Sequence, residues 1–465
     1  MRKATRSQAT AALEMPGRSP AAVEQSLDEE LPGDVFGCED GHDIKYKTLS
    51  WPLVACLMIT EIVSTGLLTL PSSLATVGVV PGIVVIVFLG AFTTYTAWSL
   101  IQFKLQHPTV HNMGDAALVL FGPIGREILG TGTVIFAVLS AGSQILAGQL
   151  ALSVLSDQGL CKVALAGIFA VAVAIASFRR TLQTLGYLSI AGGISIFTAG
   201  IVGLAGARVA PIQQGNVQIA VTTDFTTAFT RNLLTLRIQV SITNPVFAFT
   251  GHSIFFLLIS EMKRPRDAMK AAFTLQTTAT SLYVVFALVS YWYLGPNVAS
   301  PSFLSLNPFW SKAAFALAIP NFLVGGSLYS HVASKLIFIR LFRHTKHIHS
   351  NTPLGWGIWT FLILLANSAA FILAVSIPVF NYLVGIAAAT FVAWYTYGLA
   401  GAFWLHDTYY FKGGFEAWLR QPFMLVLNVL TVLAGAFVSV GGLHAMVVSL
   451  LRASAAGELS PPFQC

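Results

Sequence analysis

From Trp51 to Leu451 the chain is built from apolar runs of roughly 20 residues, each long enough to cross a bilayer as a helix. Within hydrocarbon every backbone N–H and C=O must be satisfied internally, so a spanning chain is helical or a closed barrel, and runs of this length select helices. Only 10% of residues are charged and mean hydropathy is +0.73, whereas soluble domains carry about 25% charged residues. The sequence therefore predicts an all-α polytopic membrane protein.

The expected spans lie at 51–76, 81–103, 126–156, 162–178, 184–206, 240–262, 270–294, 311–341, 354–376, 379–404 and 422–451, about eleven in all. An odd number puts the termini on opposite sides. Arg179 and Arg180, Lys263, Arg264, Arg266 and Lys270, then Arg340, Arg343 and Lys346, and finally Lys412 and Arg420 fall in connections on one side. The opposite loops Thr76–Pro81 and Gly295–Pro308 carry no Lys or Arg. The positive-inside rule then makes the N-terminus cytoplasmic and the C-terminus external. The loop 207–239 carries three arginines on the outer side, but longer loops weigh less in orientation. A net charge of +7 distributed in this way reads as membrane topology, with the lipid bilayer as partner and no nucleic acid.

Residues 1–50 form a polar tail without the apolar core of a cleavable signal, mostly disordered in expectation. Within it GDVFGCEDGHDIKY (33–46) either docks on the membrane domain or serves as a flexible linker. The membrane domain runs 51–452, with a short tail at 453–465. The cysteines at 38, 56, 161 and 465 show no metal-ligand spacing and no legible disulfide framework.

Two spans are poorly made for lipid. The stretch ITEIVSTGLLTLPSSLATV (59–77) places Glu61, hydroxyls, Gly66 and Pro71 inside an apolar run. Span 6 carries Asn244-Pro245 near its start, Thr250-Gly251-His252 in its middle and Glu261 at its end. Gly- or Pro-interrupted segments at corresponding places in two halves point to the binding site of an inverted-repeat transporter. The halves would be spans 1–5 (51–206) and 6–10 (240–404), with span 11 (422–451) as an addition. A helix break turns amide N–H groups and carbonyls into one cavity, the first suited to a carboxylate and the second to an ammonium group or cation. An amino-acid zwitterion presents both.

EIVSTGLLTLP in span 1, with FAFTGH followed by EMKRP in span 6, resembles the amino acid/auxin permease family, most nearly its fungal neutral amino-acid permeases. The resemblance implies a LeuT-like five-plus-five inverted repeat with one extra helix, and ion-coupled uptake of amino acids. By position, Ser64, Thr65, Gly66 and Leu67 then match the unwound turn of span 1, and Phe247, Ala248, Phe249, Thr250 and Gly251 that of span 6. It further implies that span 8 faces span 1, making Ser330 and Ser334 candidates for a sodium site or its vestige. Some proton-driven relatives place a lysine in span 5, which this chain lacks.

Read from the residues, each candidate also has a plainer role. Ser64 and Thr65 can bond back to their own helix, and Gly66 and Gly251 can permit close packing. Phe247 and Phe249 line the pocket or simply fill the core. Glu61 is a functional candidate because intramembrane carboxylates rarely serve packing; it would carry the coupled proton or meet the substrate ammonium. His252 is either a titrating group or a satisfied interior histidine. Ser143, Gln144 and Gln149 in span 3 line the pocket or bond between helices.

No acidic residue lies deep in spans 3, 6, 8 or 10, which favours neutral, large apolar or aromatic amino acids. Proton coupling is favoured over sodium, and no cofactor or metal is expected. The expected protein is a plasma-membrane importer. An amino-acid-sensing receptor or a vacuolar exporter on the same fold is the alternative. A filter loop or ring of like charges, as in a channel, and clustered His, Asp or Glu at membrane depth, as in an enzyme, are both missing from the sequence.

Overall fold

The computed structural model describes residues 36–37, 39, 41–209, 244–343, 345–376 and 380–455, without the side chains of Phe380, Asn381, Tyr382 and Val384. Most of the expected disordered tail, the bulk of the loop 207–239, the first residues of span 6 and the chain from 456 onward lie outside them. Nine described helices are long and apolar enough to span a bilayer, and two shorter apolar helices accompany them.

Numbering the membrane helices in chain order gives α1 Trp51–Val77, α2 Val79–Gln106, α3 Met113–Leu155, α4 Lys162–Ala176 and α5 Gln183–Val209. The sixth is in two pieces, α6a (residues 244–248) and α6b His252–Ser260. Then come α7 Ala268–Leu294, α8 Pro308–Phe342 and α9 Pro353–Ser376. The tenth, α10, runs through Phe380–Ala387, Ala388–Gly398 and Leu399–Lys412, and α11 is Pro422–Ala455. The expected spans are all found, within a few residues at most ends.

Local chemistry accounts for several boundaries. Asn112 caps α3 by accepting from the Asp115 N–H at 2.9 Å, and Asn307 caps α8 by accepting from Phe309 at 3.0 Å. Gly122, with φ +71°, and Pro123 kink α3, so a helical piece over residues 113–121 precedes the part predicted as span 3. Residues Ala388–Gly398 of α10 are a π-helix, for which the sequence carries no signal.

Burial separates the centre from the rim. The apolar windows of α1 and α8 are each 89% buried in protein and that of α11 only 17%, so α1 and α8 are core pillars and α11 is a lipid-facing addition. Helix α8 packs on α3, α5 and α1, while α1 also packs on α7 and α5.

The segment before α1 docks. Phe36, Ile44 and Tyr46 join Phe338, Ile339, Trp359 and neighbours in a second buried cluster. The Glu39 carboxylate accepts from the Tyr46 and Lys47 amides at 2.7 and 3.1 Å, and the Tyr46 hydroxyl donates to Ile348 O at 3.1 Å. Of the two readings of 33–46, docking is the one found for the described residues from Phe36 onward. Cys56 is free. Cys161 is disulfide-bonded, which the cysteine spacing did not disclose.

Candidate functional site

The expectation of two broken helices is half met. Span 6 is interrupted as predicted: α6a stops at Ala248, Thr250 N–H turns back to Phe247 O at 3.0 Å, and Gly251 adopts φ +130° before α6b begins. Span 1 is not interrupted; α1 is helical throughout Trp51–Val77, including Ser64, Thr65 and Gly66. A glycine costs only about 1 kcal/mol in a helix interior, and here tertiary packing offsets it. A Cβ on Gly66 would lie 2.9 Å from Ala248 Cα and 3.0 Å from the Tyr283 hydroxyl. Gly66 is therefore a point of close approach between α1 and α6a, and close packing, not a break, is its structural role.

That crossing is secured from α7. The Tyr283 hydroxyl lies 2.7 Å from both Ile62 O on α1 and Ala248 O on α6a, its one proton shared between these two carbonyls, and Phe249 packs edge-on against its ring at 5.2 Å. Beside it, Glu61 is 3% exposed. Its Oε1 accepts a hydrogen bond from the Tyr329 hydroxyl of α8, whereas Oε2 has no partner. A Cβ on Gly251 would come within 3.3 Å of that oxygen, so Oε2 faces the α6 break. The Ser253 hydroxyl in the first turn of α6b is likewise buried and unpartnered. The leading amides of α6b have no acceptor within their own helix.

The remaining candidates disperse. Ser64 bonds Gln144 on α3 at 3.0 Å, so Gln144 serves an interhelical bond. Ser143 donates to Ser140 O in its own helix. Leu67 lies against Gly200 of α5, and Thr65 and Phe247 are buried. Ser330 accepts from Asn367 on α9 at 2.5 Å, and Ser334 bonds back to Ser330 O at 2.9 Å. Their bonds thus run to α9 and to α8 itself, and not to α1 as the sodium-site reading expects. The residues of α8 that hydrogen-bond to α1 are Tyr329, to Glu61, and Asn321, to Thr60. His252 Nε2 lies 3.1 Å from Thr93 O and 3.2 Å from Thr96 Oγ1 on α2, while its buried Nδ1 has no partner. Sequence reasoning missed Tyr283, Tyr329 and Asn321, whose amide reaches Thr60 O at 3.1 Å. Tyr329 sits within the glycine- and serine-rich stretch of α8 that drew notice for its hydroxyls, but Tyr283 stands in an ordinary apolar run.

On the side carrying the N-terminal segment, Lys335 of α8 and Glu261 after α6b form a buried ion pair, 1% and 0% exposed. The Leu182 amide donates to Glu261 Oε2 at 3.3 Å, and Lys335 Nζ sits 4.6 Å from the centre of the Tyr46 ring. Leu49 pairs with the residues after Glu261, accepting from Lys263 N–H at 2.8 Å. Arg180 ties in the α8–α9 connection through His347 O and Ile348 O at 2.7 and 3.0 Å. Burial pulls the Arg180 guanidinium below its ordinary value, while burial drives the Tyr46 phenol well above its own.

A broken helix beside a fully buried carboxylate, in a bundle of this topology, is the arrangement of a transporter, and comparison with known proteins agrees. The sequence pattern of the family described as "Transmembrane amino acid transporter protein" matches residues 47–445. The chain belongs to that family. Its relatives include a "Transmembrane transporter" of Fusarium pseudograminearum, 29% identical over 92% of this chain and 89% of the relative. An "N amino acid transport system protein" of Neurospora crassa is 27% identical over 92% and 90%. Among solved structures, a Na+-coupled sialic acid symporter in its substrate-bound outward-open state aligns with a TM-score of 0.57 at 12% identity, covering 93% of this chain and 95% of the other. MhsT in complex with L-phenylalanine aligns at 0.55 and 14%, covering 88% and 100%. At these identities the likeness shows the fold, the LeuT-like five-plus-five arrangement with an added helix.

Proposed function

We propose that this transporter imports neutral, large apolar or aromatic amino acids across the plasma membrane by proton symport, with its N-terminus in the cytoplasm. The observation that carries the reading is Glu61: a fully buried carboxyl with one oxygen on Tyr329 and the other free beside the α6 break. An ionised carboxylate is costly to bury without a cation or a full set of donors, and no Lys or Arg is paired with Glu61 among the described residues. Glu61 is therefore the group that takes the coupled proton. The substrate carboxylate is received by the first amides of α6b and the Ser253 hydroxyl, and its ammonium by the carbonyl end of α6a. With Glu61 holding a proton, the apolar walls supplied by Phe247, Phe249 and Ile62 accept an uncharged side chain. The bonds of Ser330 and Ser334 to α9 and their own helix favour proton over sodium.

The test is uptake of labelled amino acids into proteoliposomes. An inward proton gradient is expected to drive accumulation of phenylalanine or leucine far above that of lysine, with sodium gradients ineffective. If no gradient accelerates any amino acid, the symport reading fails.

A further inference from the structure

Far from the α6 break, the ends of α2 and α10 bring two imidazoles onto one carboxylate. His107, the residue that ends α2, places Nε2 3.0 Å from Asp407 Oδ1, and His406 of α10 places Nδ1 3.0 Å from the same oxygen. The three donor atoms lie within 4.8 Å of one another, the one such His/Cys/Asp/Glu grouping among the described residues. We propose that His107, His406 and Asp407 form a binding site for a zinc-class divalent ion that staples α2 to α10.

The donor set fits such an ion. Zinc takes imidazole nitrogens and carboxylate oxygens at roughly 2.0–2.2 Å in a tetrahedron, which sets donor atoms about 3.3 Å apart. The two 3.0 Å nitrogen–oxygen separations need only a few tenths of an ångström of expansion, and the two imidazole nitrogens, within 4.8 Å of each other, complete the set by closing on the ion as it replaces the shared protons. Two imidazoles and one carboxylate leave a fourth position for water. The side chains are 10–15% exposed, so solvent reaches the group, and a cavity of about 80 Å³ lies beside Asp407, lined also by Gln102, Gln106 and Thr408. Hard cations such as Mg²⁺ prefer all-oxygen shells and are not matched here. The imidazoles are held by aromatic neighbours: Phe103 lies 4.3 Å from the His107 ring and Tyr410 4.6 Å from that of His406.

Zinc chloride is titrated calorimetrically into the purified full-length protein in lipid nanodiscs. The expected result is one saturable site per chain, unaffected by excess Mg²⁺ and weakened at least ten-fold in His107→Ala on α2 and in Asp407→Asn on α10. Both variants should elute as monodisperse protein. X-ray absorption at the zinc edge of the wild-type protein should show a shell of nitrogen and oxygen with imidazole scattering, a reading independent of how the variants fold. Absence of saturable zinc binding, or binding unchanged in both variants because the His347–His349 loop holds the metal instead, overturns the proposal.

Discussion

Glu61 is only 3% exposed; one oxygen accepts from a phenol on α8, and the other faces the turn at Gly251 without a partner. Because this carboxyl sits where α1, α6 and α8 meet, whether it holds a proton bears on all three helices at once. Glu61→Gln keeps its size and its hydrogen bond to Tyr329 while removing the titration. Proteoliposomes bearing this variant are expected to exchange internal for external amino acid as the wild type does. A proton gradient should no longer drive accumulation above the amino-acid gradient alone. Loss of exchange together with accumulation would instead place Glu61 in direct contact with the substrate.

The two glycines singled out in the sequence do different work in their helices, and variants should separate them. Gly66 lies within a continuous helix at a crossing where a Cβ already meets Ala248 Cα at 2.9 Å. Gly66→Val therefore overpacks α1 against α6a at a cost of about 1–3 kcal/mol or more, and both thermal stability and transport are expected to fall together. Gly251 has φ +130°, a conformation L-residues rarely adopt, and a Cβ there would lie 2.7 Å from Ile62 Cδ1. Gly251→Ala should impair transport out of proportion to its effect on melting temperature, measured by scintillation uptake and by thermal-shift assay, because it re-aims the break itself. Unchanged uptake in Gly251→Ala would remove the break from the mechanism. The same contrast explains what the sequence discloses. Thr250-Gly251 behind Asn244-Pro245 needs positive φ in an apolar run, and that need is local. Gly66 and Pro71 look alike on paper, but whether a glycine breaks a helix or admits a neighbour depends on that neighbour, Ala248, distant in the chain. The partners of Glu61, the α9 bond of Ser330 and the π-helical stretch of α10 are tertiary outcomes of the same kind. The spans themselves were legible because lipid demands about 20 apolar residues per crossing.

At the scale of the whole molecule, the segment 36–50 is a clasp joining the end of α6b, α8 and the α8–α9 connection. Its anchor is the buried Lys335–Glu261 pair beneath Tyr46. Removing one member of a buried pair costs about 3–5 kcal/mol by leaving the other uncompensated. Lys335→Met should thus lower thermal stability strongly, and adding Glu261→Gln should restore much of it. If the double variant is as unstable as the single one, the pair is not what Lys335 provides.

His111, just before α3, gives the clasp a dependence on pH. Its ring is fully buried edge-on against Phe36 at 5.1 Å, with neither nitrogen hydrogen-bonded. Burial, and after it the charges of Lys104, Lys335 and Arg343, hold its pKa well below the ordinary 6.5. With the clasp closed, His111 is neutral; once the clasp opens, the imidazole takes up a proton at its ordinary value. The open form therefore binds more protons below about pH 6.5, and by linkage the closed form is fully stable above that value. Its advantage falls by up to about 1.4 kcal/mol per pH unit as the medium is acidified. Hydrogen exchange read by mass spectrometry, corrected for intrinsic rates, should show residues 36–50 less protected at pH 5.5 than at pH 7.5. His111→Leu should flatten most of that difference. Equal protection of the wild-type segment at both pH values would mean that the closed clasp accommodates the imidazolium, and that His111 is packing alone.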